Sequence, residues 1–195
     1  QHLSRGRLAA PSTSPELYLW GNRIDLEADS FKAYQPLLAA RTQFGEDGIR
    51  FPTEPDIMLI TDRVVMCIEA KLTSGNPLAV KGAKTEPGAK PKSPEGLVQR
   101  YYDTWPEAQR YIDRRRLAES TLHSQLFRNV IFAARMTQQG KDWHVVNLVS
   151  KTQWFGRKRT PQRDYDFDDP TESIRGYLRR EFQDHFTFCT WEELY

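Results

Sequence analysis

Residues 55–71 read Pro55-Asp56-Ile57-Met58-Leu59-Ile60-Thr61-Asp62-Arg63-Val64-Val65-Met66-Cys67-Ile68-Glu69-Ala70-Lys71, and this stretch decides the fold. Two short runs of mostly branched apolar side chains, Ile57–Ile60 and Val64–Ile68, are joined by the polar Thr61-Asp62-Arg63. That pattern is a β-hairpin. Both runs are apolar at successive positions, as strands covered on both faces are. The hairpin therefore belongs in the interior of an α/β or α+β sheet.

The open end of the hairpin carries charge. Side chains alternate along a strand, so Glu69 and Lys71 share a face and Ala70 points away. A link centred on 61–64 pairs Ile60 with Arg63 or Val65, which sets Asp56 opposite Cys67 or Glu69. Opposed Cβ atoms on antiparallel strands lie about 4.5–5.5 Å apart and diagonal ones about 7–8 Å. In either register both carboxylates reach one ion. Hard cations such as Mg²⁺, with Mn²⁺ as the substitute, take carboxylate and water oxygens, so Asp56 and Glu69 are candidate metal ligands. Lys71 beside them is placed to orient an attacking water and to oppose charge developing on a phosphate. The plainer reading is a Glu/Lys ion pair at a strand end with Asp56 as a turn residue. The convergence of three charged groups on one hairpin favours the metal centre.

Working outward, Ser14-Pro15-Glu16 combines a cap, a proline and an acid, and predicts a short helix ending near Gly21-Asn22. A second helix is expected over residues 30–41, kinked or started late by Pro36. Residues 72–94 are dominated by Gly, Pro, Ser, Thr and Lys and predict a flexible basic surface loop, with four Lys against one Glu between Lys81 and Lys92. Ser93-Pro94-Glu95 opens a long helical region, broken near Trp105-Pro106 and running to about Glu119. Leu122, Leu126, Val130 and Ala134, flanked by Phe127 and Ile131, form an apolar helical stripe that should pack on the sheet. Trp143–Val149 predicts a strand, 169–184 a helix, Phe186–Cys189 a last strand and Trp191–Leu194 a helical turn. Four to six strands in a mixed sheet are expected.

The pattern Pro55, Asp56, Glu69, Lys71, with Glu69 13 positions after Asp56, resembles the PD-(D/E)xK nuclease superfamily, the restriction endonuclease-like fold. Gln125-Leu126-Phe127-Arg128-Asn129 and Thr190-Trp191-Glu192-Glu193-Leu194 look like stretches of bacterial proteins with that fold and extend the resemblance over most of the chain. It implies a mixed β-sheet flanked by helices and a Mg²⁺-dependent phosphodiesterase, endodeoxyribonuclease-like, with Asp56 and Glu69 as metal ligands and Lys71 as the catalytic lysine. It also implies a site glutamine, for which Gln125 is the candidate, and a role in restriction, defence or repair. Many members add an acid from the first helix. Glu16, Glu27, Glu46 and Glu54 all stay open for that place.

Length and composition bound the rest. The chain has 195 residues, consistent with one nuclease-like domain over 1–195, and 38% hydrophobic residues, enough for a sizeable core. Lys and Arg total 28 against 26 Asp and Glu, so bulk charge does not announce a nucleic-acid partner and binding to DNA must use local patches. The candidates are Lys81, Lys84, Lys90 and Lys92, then Arg114, Arg115 and Arg116, then Arg157, Lys158 and Arg159 behind Trp154-Phe155, an aromatic pair suited to stacking on a base. No apolar run approaches the ~20 residues of a membrane span. Gln1–Ala10 is polar and Arg-containing, so no secretory leader is expected there and a cytoplasmic location is. Cys67 and Cys189 stand far apart with no zinc spacing and read as buried reduced thiols. The oligomeric state is open, a homodimer included. Two other classes remain: an inactive nucleic-acid-binding module of the same fold, which would bind without Mg²⁺-dependent cleavage, and an interaction domain with neither metal nor DNA affinity.

Overall fold

The structure is a computed structural model that describes residues 14–24, 32–137, 140–152, 165–166 and 168–194. Its centre is the expected hairpin, β4 (Ile57–Ile60) and β5 (Val64–Lys71), paired antiparallel with Ile60 opposite Val65 and Ile57 opposite Ile68. Extending that register by one step sets Asp56 across from Glu69, the second of the two registers considered. Thr61 holds the link, its Oγ1 accepting from the Arg63 and Val64 backbone N–H groups at 3.1 and 3.0 Å.

Around the hairpin lies a seven-stranded mixed sheet, in the order β3-β2-β1-β4-β5-β7-β9. The first four are antiparallel neighbours: β3 (Lys32–Ala33), β2 (Asn22–Arg23), β1 (Glu16–Leu19) and β4. On the other side β5 pairs parallel with β7 (Asp142–Val149), and β7 parallel with β9 (Phe186–Thr190). A parallel pair needs a long crossover, and the helix α4 (Ser124–Met136) lies on that of β5 to β7. The predicted stripe is its buried face: Leu122, Leu126, Phe127, Val130, Ile131 and Ala134 are all buried.

The structure corrects the expectation for residues 14–21. They form strand β1, not a helix, and bring the sheet to seven strands. Local cap signals yield here to pairing with β4 along its whole length, from Glu16 opposite Ile60 to Leu19 opposite Ile57. A two-residue turn then leads into β2. Trp20 and Gly21 both have positive φ, 47° and 76°, the conformation of the tight hairpin turn whose twist matches its strands. A Cβ at Gly21 would lie 2.6 Å from Leu37 Cδ2, so glycine serves the packing as well as the turn.

Helix α1 (Gln35–Gln43) starts late, with Pro36 in its first turn. The long helical region is instead a series of short pieces: α2 (Pro94–Leu97), a wide π turn over Val98–Tyr102, a 3-10 turn over Pro106–Arg110 and α3 (Arg114–Glu119). Ser93 caps α2, its Oγ accepting from Gly96 N at 3.1 Å. The helix expected to reach 184 ends early, as α5 (Thr171–Tyr177), and continues as a 3-10 turn over Arg180–His185. The last turn is α6 (Trp191–Leu194).

Two further expectations change. In β4 and β5 every second residue is buried and the others are half-buried, so these strands are fully covered on one face only, whereas β7 is buried at nearly every position. Cys67 is buried and its thiol is pushed up by burial, but Cys189 is only partly buried; both are free. Segment 72–94 is irregular, yet it is tied back to the body by Val80 N to Lys92 O at 2.8 Å and Ala79 N to Leu122 O at 2.7 Å. It contributes the short strand β6 (Asn76–Pro77), which pairs with β8 (Tyr165–Asp166). Trp154, Phe155, Arg157, Lys158 and Arg159 lie outside the described residues.

Candidate active site

Alternation along β5 puts Val65, Cys67, Glu69 and Lys71 on one face, and all four are buried. The first two are core. The next two meet α4. Residues four apart on a helix are separated by about 6.0 Å along the axis, and residues two apart on a strand by about 6.6 Å. The two repeats match for a pair of steps. Asn129 Nδ2 accordingly donates to Glu69 Oε2 at 2.9 Å, and Lys71 Nζ donates to Gln125 Oε1 at 2.9 Å. Lys71 Nζ also sits 2.6 Å from Glu69 Oε1. Asp56 faces this group from β4's entry, its Oδ2 accepting from Ala70 N at 2.8 Å.

Four residues singled out in the sequence, Asp56, Glu69, Lys71 and Gln125, are therefore assembled at one end of the hairpin. Burial is the main reason Glu69 is held above the ordinary carboxylate range; the Asp56 charge pushes the same way, while Lys71 and Asn129 pull it back. A buried carboxylate facing a second acid is chemically suited to a cation between them. The parallel register adds Asn147, level with Glu69 on β7, where neighbouring strands lie about 4.8 Å apart. Asn147 is fully buried, and among the described residues neither its Oδ1 nor its Nδ2 has a hydrogen-bond partner. An all-oxygen donor set with an orphaned amide beside it fits Mg²⁺ or Mn²⁺ chemistry.

The added acid is not supplied by the described candidates. Glu16 accepts from Tyr18 at 2.9 Å and pairs with Arg23 at 3.1 Å. Glu54 pairs with Arg41 at 2.8 Å. Glu46 is buried and takes bonds from Thr53 N, Thr53 Oγ1 and Tyr101 Oη at 2.5, 2.6 and 2.6 Å. Glu27 lies outside the described residues. Among the described residues no group of three or more His, Cys, Asp or Glu is arranged to hold a metal; the acids that the hairpin itself brings together are Asp56 and Glu69.

The basic stretches divide. Arg114 pairs with Asp103 at 3.5 Å and Arg115 with Glu119 at 3.6 Å on an open surface. Lys90 and Lys92 instead line a cavity beside the N-terminal half of α4. The second stretch quoted for the resemblance, Thr190–Leu194, ties strand ends together: Glu193 Oε2 accepts from Thr190 N at 2.8 Å, and Glu192 Oε2 accepts from Lys151 N, just past β7, at 2.9 Å. Sequence reasoning gave no role to Asn147 or to the burial of Arg128. The available signal for both was a polar residue inside an otherwise apolar buried run.

A mixed sheet built on an antiparallel hairpin, extended by parallel strands and carrying Asp, Glu and Lys at the hairpin's open end, defines a restriction endonuclease-like fold. The chain belongs to the family described as restriction endonuclease associating with ARP, whose model matches residues 24–195. No curated protein and no solved structure matches the chain.

Proposed function

We propose that the protein is a Mg²⁺-dependent deoxyribonuclease that hydrolyses phosphodiester bonds within DNA, with Asp56 and Glu69 as metal ligands, Lys71 as the catalytic lysine and Gln125 as its positioning residue. The observation that carries this reading is the Lys71 ammonium, fixed between Glu69 Oε1 at 2.6 Å and Gln125 Oε1 at 2.9 Å beside a second carboxylate. A cation bound by Asp56 and Glu69 would supply Lewis-acid stabilisation of phosphate charge and a more acidic water.

The chain's own residues do the rest. An ammonium has three donors; one is held by Gln125 while Glu69 pairs with the charge, and donor capacity is left to orient a water or to donate to a phosphate oxygen as negative charge builds. Gln125 has no charge to lose and fixes the direction of Nζ at any pH. Asn129 holds Glu69 so that Lys71 does not draw its carboxylate away from Asp56. The family's description supports an endonuclease in restriction or a related defence role, and its named association with ARP supports a partner component.

The test is incubation of supercoiled plasmid and single-stranded DNA with wild type, Asp56→Ala, Lys71→Ala and Gln125→Ala in Mg²⁺, Mn²⁺ or EDTA. Cleavage is expected with either metal and not in EDTA. It should fall about 10²–10³-fold for Asp56→Ala and Lys71→Ala, and about 10–100-fold for Gln125→Ala. Cleavage that survives both Asp56→Ala and Lys71→Ala removes the assigned site; DNA binding with no cleavage by wild type leaves a binding module.

A further inference from the structure

A cavity of about 800 Å³ opens between residues 49–51, the 77–92 segment and the start of α4. That is the size of pockets that enclose small organic ligands, larger than a lone anion requires. Its lining is basic: Arg50, Lys90, Lys92 and Arg128, with Glu86 the single acid.

Arg128 is the informative residue. It lies mid-helix on α4, is only 8% exposed, and its Nε has no hydrogen-bond partner among the described residues. A buried guanidinium is costly unless an anion or a full set of acceptors meets it. Glu46 and Glu69 act on it through space, but each is already occupied, by Thr53 and Tyr101 or by Lys71 and Asn129. Lys90 shares the shortage. Among the described residues its Nζ donates to the Pro52 carbonyl alone, at 3.2 Å, and burial together with Arg128 lowers its pKa to about 8. Two cations drawn into one recess without a dedicated carboxylate describe a place for an external anion. The planar fork of arginine matches phosphate oxygens in pairs.

The lining also carries an aromatic ring. Phe51 is 67% exposed and carries the Arg50 guanidinium 5.1 Å from its ring centre, an arrangement that can also receive the face of a base. The cavity lies next to the candidate site. Ser124 and Arg128, both on its wall, flank Gln125, whose amide holds Lys71.

We propose that this cavity is a nucleotide pocket, in which Arg128 and Lys90 bind the phosphate of one unpaired nucleotide of a DNA strand and Phe51 stacks on its base. It rests on the nuclease reading only in assigning that nucleotide to the strand being cut. A base held against Phe51 cannot remain in a duplex stack, so the pocket favours single-stranded or frayed DNA over blunt duplex.

The test is equilibrium binding of a fluorescein-labelled single-stranded oligonucleotide in EDTA, where no metal-dependent cleavage occurs. It uses wild type, Lys90→Met, Arg128→Met, Phe51→Ala and, as an exposed lysine on the edge strand β3, Lys32→Met. Lys90→Met and Arg128→Met should each weaken binding about tenfold or more, and Phe51→Ala about fivefold, with Lys32→Met like wild type. Deoxyadenosine 5′-monophosphate should compete at least about tenfold better than deoxyadenosine or inorganic phosphate, since only it engages both the cations and the ring. Equal losses in Lys32→Met and Lys90→Met, inorganic phosphate competing as well as the mononucleotide, or equal binding of blunt duplex would overturn the pocket. Should Arg128→Met fail to fold, the exposed Phe51 and the Lys90 variant decide the matter. Binding that follows this pattern in a protein that cleaves nothing would uphold the pocket and overturn the nuclease reading.

Discussion

Glu46 and Glu69 are both shut away from solvent, at 2% and 0% exposure, yet their surroundings differ in kind. Glu46 receives three hydrogen bonds from Thr53 and Tyr101, a backbone N–H and two hydroxyls, none of which is charged. It ties the turn after α1 to the π turn at Tyr101. Glu69 is matched by a side-chain ammonium, one amide and a neighbouring carboxylate that opposes its ionisation. A carboxylate whose donors are all neutral and fixed is a strut. One balanced between a cation and another anion can change partners at little cost, and that is what binding a metal demands.

Paired substitutions separate the two. The largest contrast is in cleavage: Glu69→Gln should lower the plasmid-cleavage rate about 10²–10³-fold, whereas Glu46→Gln should leave the rate per folded molecule unchanged. A loss of the same size in Glu46→Gln would erase the distinction. Stability should show the reverse order. Glu46→Gln turns an amide N–H toward donors that need acceptors and should cost about 2–3 kcal/mol in urea unfolding, more than Glu69→Gln costs. Mg²⁺ at about tenfold above its dissociation constant should raise unfolding free energy by about 1.4 kcal/mol in wild type. Glu46→Gln should keep that increment; Asp56→Asn and Glu69→Gln should lose it. The smallest effect is on the apo protein. Asp56→Asn keeps an oxygen for Ala70 N while removing the charge that raises Glu69, and should stabilise the metal-free protein by up to about 1 kcal/mol even as activity disappears. Destabilisation there would mean the two acids do not oppose each other.

The core of the site was legible because it is local. The apolar runs, the polar link at 61–63 and the alternation of Glu69 and Lys71 together define a hairpin and narrow its register to two choices. The stripe from Leu122 to Ala134 likewise defined α4, and with it the face that carries Gln125 and Asn129. What escaped depends on long-range pairing. Residues 14–16 carry a helix-start signal that only their partner strand β4 overrides. Asn147 comes level with Glu69 because β7 lies parallel to β5, which nothing in its own neighbourhood announces. The choice among Glu16, Glu46 and Glu54 turned on bonding partners, the nearest two residues away in the chain and the farthest 55. Arg128 looked like one more basic residue until the fold enclosed it.

Helix α4 supplies two of the hydrogen bonds that shape the site, to Glu69 and to Lys71, from a single rigid rod. Its own apolar side chains anchor it: Phe127, Val130, Ile131 and Phe132 are wholly buried in the core. Sliding the rod along its axis would stretch both bonds at once, and the Arg128 head would travel with them. The aim of the ammonium is thus set by hydrocarbon packing outside the polar cluster, so trimming a methylene from the helix's apolar side is an adjustment to the trigger as well as to the foundations.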